Sequence, residues 1–237
     1  MIRCYGEAEI FSFHATKFFN TFEGGAVVTN NDELAEKIRL MQNFGFAGKD
    51  NVIYIGTNGK MSEISAAMGL ASFESYEDIT STNYNNYKLY QKIIKKLPGV
   101  RMLTYDEKEV CNYQYIVLEI DEQTTLIGRD QIMQILHAEN VIARRYFYPG
   151  CHRMEPYRSY QPYASLLVPA TEQLVERILI LPTGTSVSEK HIQKIGQIFR
   201  FVIENATDIT SKMDPIDAKG DYKLKPITEN YKVVSLS

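Results

Sequence analysis

Phe11-Ser12-Phe13-His14-Ala15-Thr16-Lys17, followed by Phe22-Glu23-Gly24-Gly25-Ala26-Val27-Val28-Thr29, is the stretch from which the rest of the chain can be read. Residues 8–13 and 26–30 read as short strands on their β-branched and aromatic side chains. The glycine pair at 24 and 25 separates the two segments and marks the turn. Alternation puts Ser12 on the opposite strand face from Phe11 and Phe13 and on the same face as His14. A hydroxyl, an imidazole and an amine thus leave the end of one short strand together. An isolated lysine is ordinarily a solvated surface group. A lysine set on a strand end beside a glycine turn suits chemistry, because desolvation eases loss of its proton and leaves a nucleophilic amine.

Outward from this stretch the pattern alternates between strands and helices. Asn30, Asn31 and Asp32 cap a helix reaching about Asn43, with Leu34, Ile38 and Met41 on one face. Residues 45–60 hold four glycines without periodicity and read as a loop long enough to carry function. Ser62 starts a helix whose small residues Ser65, Ala66, Ala67, Gly69 and Ala71 allow close packing, so an interface is expected there. A long helix from about Tyr76 to Leu97 stops at Pro98-Gly99, and alternation over 114–120 then predicts a strand. Helices are expected over 128–140 and 169–177, and strands over 141–146 and 178–181. Ser188 caps a last helix presenting Ile192, Ile195, Phe199, Val202 and Ile203 on one face. The alternation predicts an α/β architecture. Beyond 205 the chain is polar and reads as a loose tail.

Composition sets bounds on function. The 237 residues are 44% hydrophobic and 23% charged, ordinary values for one or two globular domains. A net charge of -3, with no long Lys/Arg block, argues against nucleic acid as a partner. No run of about 18 apolar residues suggests a membrane span, and the first residues lack a signal-peptide pattern, so a cytoplasmic protein is expected. Cys4, Cys111 and Cys151 are widely spaced without a CxxC pair and read as free thiols, with no metal site. Sixteen tyrosines and no tryptophan are a skew. Tyr76, Tyr84, Tyr87 and Tyr90 fall near helical spacing and read as a half-buried face.

The segment Ser-Phe-His-x-x-Lys, then Glu-Gly-Gly and a Val-rich strand, resembles the pyridoxal-phosphate-dependent sugar aminotransferases of the DegT/StrS family. The resemblance continues through 56–63 (Gly-Thr-Asn-Gly-Lys-Met-Ser-Glu), the helix 64–70, Arg144-Arg145-Tyr146 with Pro149 and His152, and Leu181-Pro182-Thr183. It implies a type I fold for pyridoxal-phosphate-dependent transferases. Residues 1–75 would be the end of the large cofactor domain, 76–205 a linking helix and the small C-terminal α/β domain, and 206–237 a polar tail. In the family roughly 100–200 further residues stand before the lysine, whereas 16 do so here. The expectation is therefore a C-terminal portion of such an enzyme.

The resemblance also assigns roles. Lys17 would form a Schiff base with the cofactor aldehyde and then carry a proton between the substrate carbon and the cofactor. Ser12 would donate its hydroxyl to the cofactor phosphate. Asn58 would reach the phosphate of a neighbouring subunit's cofactor across a homodimer interface. Lys60 stands where the family commonly has Arg and lacks the rigid bidentate fork. His14 would line the active site, a structural hydrogen bond being the other reading. Arg145, Tyr146 and His152 would meet a nucleotide-sugar substrate, guanidinium suiting a diphosphate, though a solvated basic edge fits the same residues. The reaction implied moves an amino group from an amino acid, expected to be glutamate, to a nucleotide-activated keto-deoxysugar for surface polysaccharide. The alternative is a catalytically silent fragment, or half of a split enzyme that needs a separate N-terminal chain.

Overall fold

The computed structural model describes residues 6–213. Cys4 and residues 214–237, most of the expected tail, lie outside the described residues. In order the chain forms β1 (Glu9–Ser12), β2 (Gly25–Val28), α1 (Asp32–Met41), β3 (Phe46–Gly48), β4 (Asn51–Val52), α2 (Glu63–Glu74) and α3 (Tyr76–Ile94). There follow β5 (Val100–Met102), β6 (Ile116–Ile120), α4 (Glu122–Thr125), α5 (Arg129–Ala138) and a 3-10 turn at Cys151–Arg153. The described residues end with α6 (Tyr157–Tyr160), α7 (Ala164–Leu167), α8 (Pro169–Val175), β7 (Ile178–Leu181), α9 (Glu189–Glu204) and α10 (Ala206–Lys212). The described residues form two compact units, one of residues 6–87, 105–114 and 183–186, the other of 88–104, 115–182 and 187–213.

In the first unit β1 and β2 form an antiparallel hairpin with Phe11 opposite Ala26 and Ser12 opposite Gly25. The helix after it begins where the sequence places it, with the Asn31 side chain accepting from Leu34 N at 3.0 Å. Likewise the Ser62 hydroxyl accepts from Ser65 N at 3.1 Å and starts α2. The glycine-rich stretch 45–60, expected as a loop, instead contains a small hairpin in which Phe46 faces Val52. Periodicity misses it because two- and three-residue strands are too short to alternate. Gly45 adopts φ +82°, and a Cβ there would lie 1.8 Å from Tyr54 O, so only glycine lets the two backbones approach.

The second unit is built on an antiparallel sheet ordered β5-β6-β7, with Leu118 opposite Leu179 and Ile116 opposite Leu181. Ile116, Leu118 and Ile120 point to one face and are buried, as period-two alternation requires. Ile132 and Leu136 of α5, and Ile192, Ile195, Phe199 and Val202 of α9, are buried as well, α5 packing on β7 and on α9. Each such side chain removed from water contributes about 1.5–3 kcal/mol, so this layer holds the unit together. Tyr90 is buried as well, its hydroxyl donating to Pro182 O at 2.9 Å, and burial pushes its ionisation above the ordinary phenol range.

Two further segments differ from expectation. The strand expected over 141–146 reduces to one bridge between Arg144 and Ile180. Turns closed by Tyr148 N to Arg145 O at 2.7 Å and Gly150 N to Phe147 O at 2.6 Å bend the chain away before a ladder can form. Pro149 also has no N–H to offer one. The start of the polar tail is the helix α10, whose Ala206 is buried.

Candidate active site

Lys17 sits in the turn that joins β1 to β2. Its own N–H donates to His14 O at 2.8 Å, closing a tight turn directly after the strand. Two backbone bonds then shut the base of the loop, Phe13 N to Gly24 O at 2.8 Å and Thr21 N to Phe13 O at 2.9 Å. Thr21 is buried and donates its hydroxyl to Glu23 O at 2.9 Å. Apolar pins set the depth: Phe19 meets Phe13 edge-on at 5.0 Å and Phe73 of α2 at 4.6 Å, and Phe18 meets Tyr76 at 5.3 Å. The Ser72 hydroxyl of α2 donates to Asn20 O at 3.0 Å, and Gln114 Nε2 donates to Thr16 O at 3.0 Å. The loop is thereby fixed while the Lys17 side chain stays exposed. The desolvation expected around this amine is not supplied by the described residues of this chain.

Ser12 and His14 are exposed beside it, as the alternation requires. His14 Nδ1 lies 3.0 Å from Thr16 Oγ1 and its Nε2 lies 3.5 Å from a Glu23 carboxylate oxygen. Both ring nitrogens thus face partners within the loop. Glu23 was invisible as a partner in the sequence, nine positions away with no local periodicity.

Asn58 lies on a separate, exposed strip paired with Asn43 in a bridge, held by Thr57 N to Met41 O and Gly59 N to Gln42 O, both 2.9 Å. Lys60 donates to Asn43 Oδ1 at 3.1 Å and sits 4.5 Å over the Phe44 ring. That geometry serves the strip itself.

Arg145, Tyr146 and His152 belong to the second unit. Arg145 pairs with Asp130 at 3.2 Å and lies 4.1 Å over the Tyr148 ring. The Tyr146 ring stacks on Phe147 at 4.9 Å, and its hydroxyl accepts from Arg144. His152 is 13% exposed and pairs with Glu172 of α8, which also takes a charge-assisted bond from Arg153 Nε at 3.0 Å. Those hydrogen bonds, from Arg153 first, then His152 and Ser165, hold the Glu172 carboxyl down at about 2. The same pairing raises the Arg153 guanidinium above its ordinary value. Glu172 was not legible in the sequence, because α8 gives no sign of which loop it meets. Cys111 and Cys151 are free thiols, and no group of three potential metal ligands occurs among the described residues. Nor is any described helix long and apolar enough to cross a membrane.

A model of the DegT/DnrJ/EryC1/StrS aminotransferase family matches residues 2–200. The chain belongs to this family. Among curated relatives, a dTDP-4-amino-4,6-dideoxy-D-glucose transaminase of Shigella dysenteriae is 32% identical over 196 residues, covering 83% of this chain and 53% of that protein. A transaminase of the same name from Escherichia coli is 32% identical over 177 residues, or 75% of this chain and 47% of that one. Among solved structures, DesI in the presence of its TDP-sugar product is 46% identical with a TM-score of 0.79, covering 87% of this chain and 52% of DesI. Helicobacter pylori PseC, an aminotransferase of pseudoaminic acid biosynthesis, is 25% identical with a TM-score of 0.75, covering 85% and 54%. The fold is therefore that of the family's sugar aminotransferases. The chain spans about half the length of the relatives it matches.

Proposed function

We propose that this chain carries the lysine-bearing half of a pyridoxal-phosphate-dependent aminotransferase, whose substrate is a nucleotide-activated keto-deoxysugar and whose amino donor is an amino acid, glutamate by expectation. The observation that carries this reading is the pinned loop that presents an exposed Lys17 in the turn directly after β1, whose last residue is the exposed Ser12. This donor set fits an aldehyde-bearing phosphate ester: a primary amine for the aldehyde, a hydroxyl donor for a phosphate oxygen. Pyridoxal phosphate, when bound, supplies the electron sink.

The protein's own contribution is positional and acid–base. Lys17 Nζ holds and moves the proton, and Ser12 Oγ donates to the phosphate. The imidazole of His14, bridged to Thr16 and Glu23, stiffens the loop around the amine. Asn58 stands on an exposed strip, in keeping with a contact to a second copy in a homodimer. Arg145, held flat on Tyr148, suits a diphosphate oxygen, and Tyr146 and His152 flank its loop. The dTDP- and TDP-sugars named for relatives support a nucleotide sugar here. A role in surface polysaccharide synthesis belongs to the same proposal.

The test is to incubate the purified chain with pyridoxal phosphate, reduce with borohydride and locate the adduct by peptide mass. Stoichiometric labelling of Lys17, lost in Lys17→Ala, supports the reading. Labelling scattered over surface lysines would overturn it for the chain alone. A second reading, activity only with a companion polypeptide, is favoured by the apolar side chains Ile10, Ile55, Ile64, Leu70 and Phe73 left in water on the first unit. Under that reading Lys17 labels only once the companion is added.

A further inference from the structure

A long-range side-chain bond reaches the peptide next to Lys17 from Gln114, 98 residues beyond Thr16. Its Nε2 donates to Thr16 O at 3.0 Å. That oxygen belongs to the peptide plane whose nitrogen is Lys17 N, and this N–H donates in turn to His14 O at 2.8 Å. The plane is rigid. Holding both its oxygen and its N–H therefore fixes that plane and, within it, the Lys17 Cα from which the side chain leaves the backbone.

Gln114 is itself held firmly. The buried Asn83 of α3 donates to Asn112 O at 3.1 Å, Tyr105 N donates to the hydroxyl of the buried Tyr87 at 3.3 Å, and Gln114 N donates to Asn112 Oδ1 at 3.1 Å. Tyr113, at φ 50°, turns its ring among Tyr84, Tyr87 and Tyr105, with centroids 5.1, 5.1 and 5.3 Å away. Left-handed backbone at a bulky residue is unfavourable by itself and persists here because the rings surround it. The backbone just before Gln114 is thus clamped to α3, and the amide is delivered at a set height over the turn. The chemistry of the position is specific: the bond needs a side-chain donor at the reach of Gln.

We infer that Gln114 is a positioning residue for Lys17, linking the tyrosine cluster on α3 to the reactive amine through the Thr16 carbonyl. This rests on the reading of Lys17 as the amine that takes the cofactor, and the test separates the two. Gln114→Glu keeps the volume and removes the donor; Gln114→Ala removes both. Two quantities are read in each variant and in wild type: amide exchange at Lys17 by NMR, and borohydride-trapped pyridoxal phosphate at Lys17 relative to the exposed Lys37 and Lys190. The expected result is Lys17 exchange faster by about two- to tenfold, the factor one hydrogen bond carries. A comparable fall in labelling at Lys17 accompanies it, with Lys37 and Lys190 unchanged and α9 protection intact. Exchange and labelling at wild-type values in Gln114→Glu would overturn the inference, as would loss of protection throughout the fold. If wild type fails to label at Lys17 yet its amide responds to Gln114→Glu, the cofactor reading falls and the positioning of the turn stands.

Discussion

Glu172 shows how much one side chain can settle. It gathers Arg153, His152 and Ser165 around one carboxylate, which brings its ionisation from the ordinary 4.5 to about 2. A carboxyl whose folded-state value is depressed stabilises the fold above its unfolded value, and that contribution fades as pH falls from about 4.5 towards about 2. Wild type is therefore expected to lose melting temperature more steeply than Glu172→Gln between pH 5 and 2, the two curves converging at the acid end. A parallel pair of curves in a calorimetric pH series would show that the cluster contributes nothing. His152 drew attention in the sequence as a ligand for substrate. Its partner, 20 residues on, could not be seen, since neither helical nor strand spacing links the two positions. Ser12 and His14 could be placed together for the opposite reason: they are two residues apart at one strand end, where period-two alternation assigns the face, and Lys17 follows in the adjoining turn.

Helix α9 is an element read almost completely from sequence. Its buried Ile192, Ile195, Phe199 and Val202 follow the expected stripe, and the Ser188 hydroxyl accepts from His191 N at 3.3 Å at its start. What the stripe does not explain is Gly196, a helix-interior glycine. A Cβ there would stand 2.4 Å from Ile93 Cγ2 of α3, so the glycine is the notch in which the other helix rests. Gly196→Ala gains about 1 kcal/mol of helix propensity and loses about 1–3 kcal/mol to overpacking. The net expectation is destabilisation of about 1 kcal/mol, read as a lower urea midpoint. A raised midpoint would mean that Ile93 rotates aside freely. Elements failed to be legible where they are short. The hairpin β3–β4 is built of strands too short to alternate, and the single bridge at Arg144 is set by bonds to the distant Ile180; neither leaves a periodic trace.

At the scale of the whole molecule the two units differ in how they treat apolar surface. The second encloses a continuous core, whereas on α2 of the first Ile64 is 75%, Leu70 68% and Phe73 66% exposed. An interface on this helix was expected from its small residues, and these exposures add the apolar area such an interface would cover. The double variant Ile64→Ser, Leu70→Ser is expected to lower self-association in sedimentation velocity and to cut binding of a hydrophobic dye. Thermal stability should move by no more than about 0.5 kcal/mol, because the side chains already lie in water. Undiminished association would place the contact elsewhere. The sequence by itself determined the positions of the principal helices, the β1–β2 turn, the faces of β1 and β6, and the family. All of these follow from spacing within one element or from motifs a few residues long. Only the tertiary structure decided that Gln114 braces the Lys17 turn, that Glu172 binds His152 and that Gly196 seats Ile93. Those are contacts between residues far apart in the chain, and local periodicity carries no information about which distant element will complete a hydrogen bond or fill a notch.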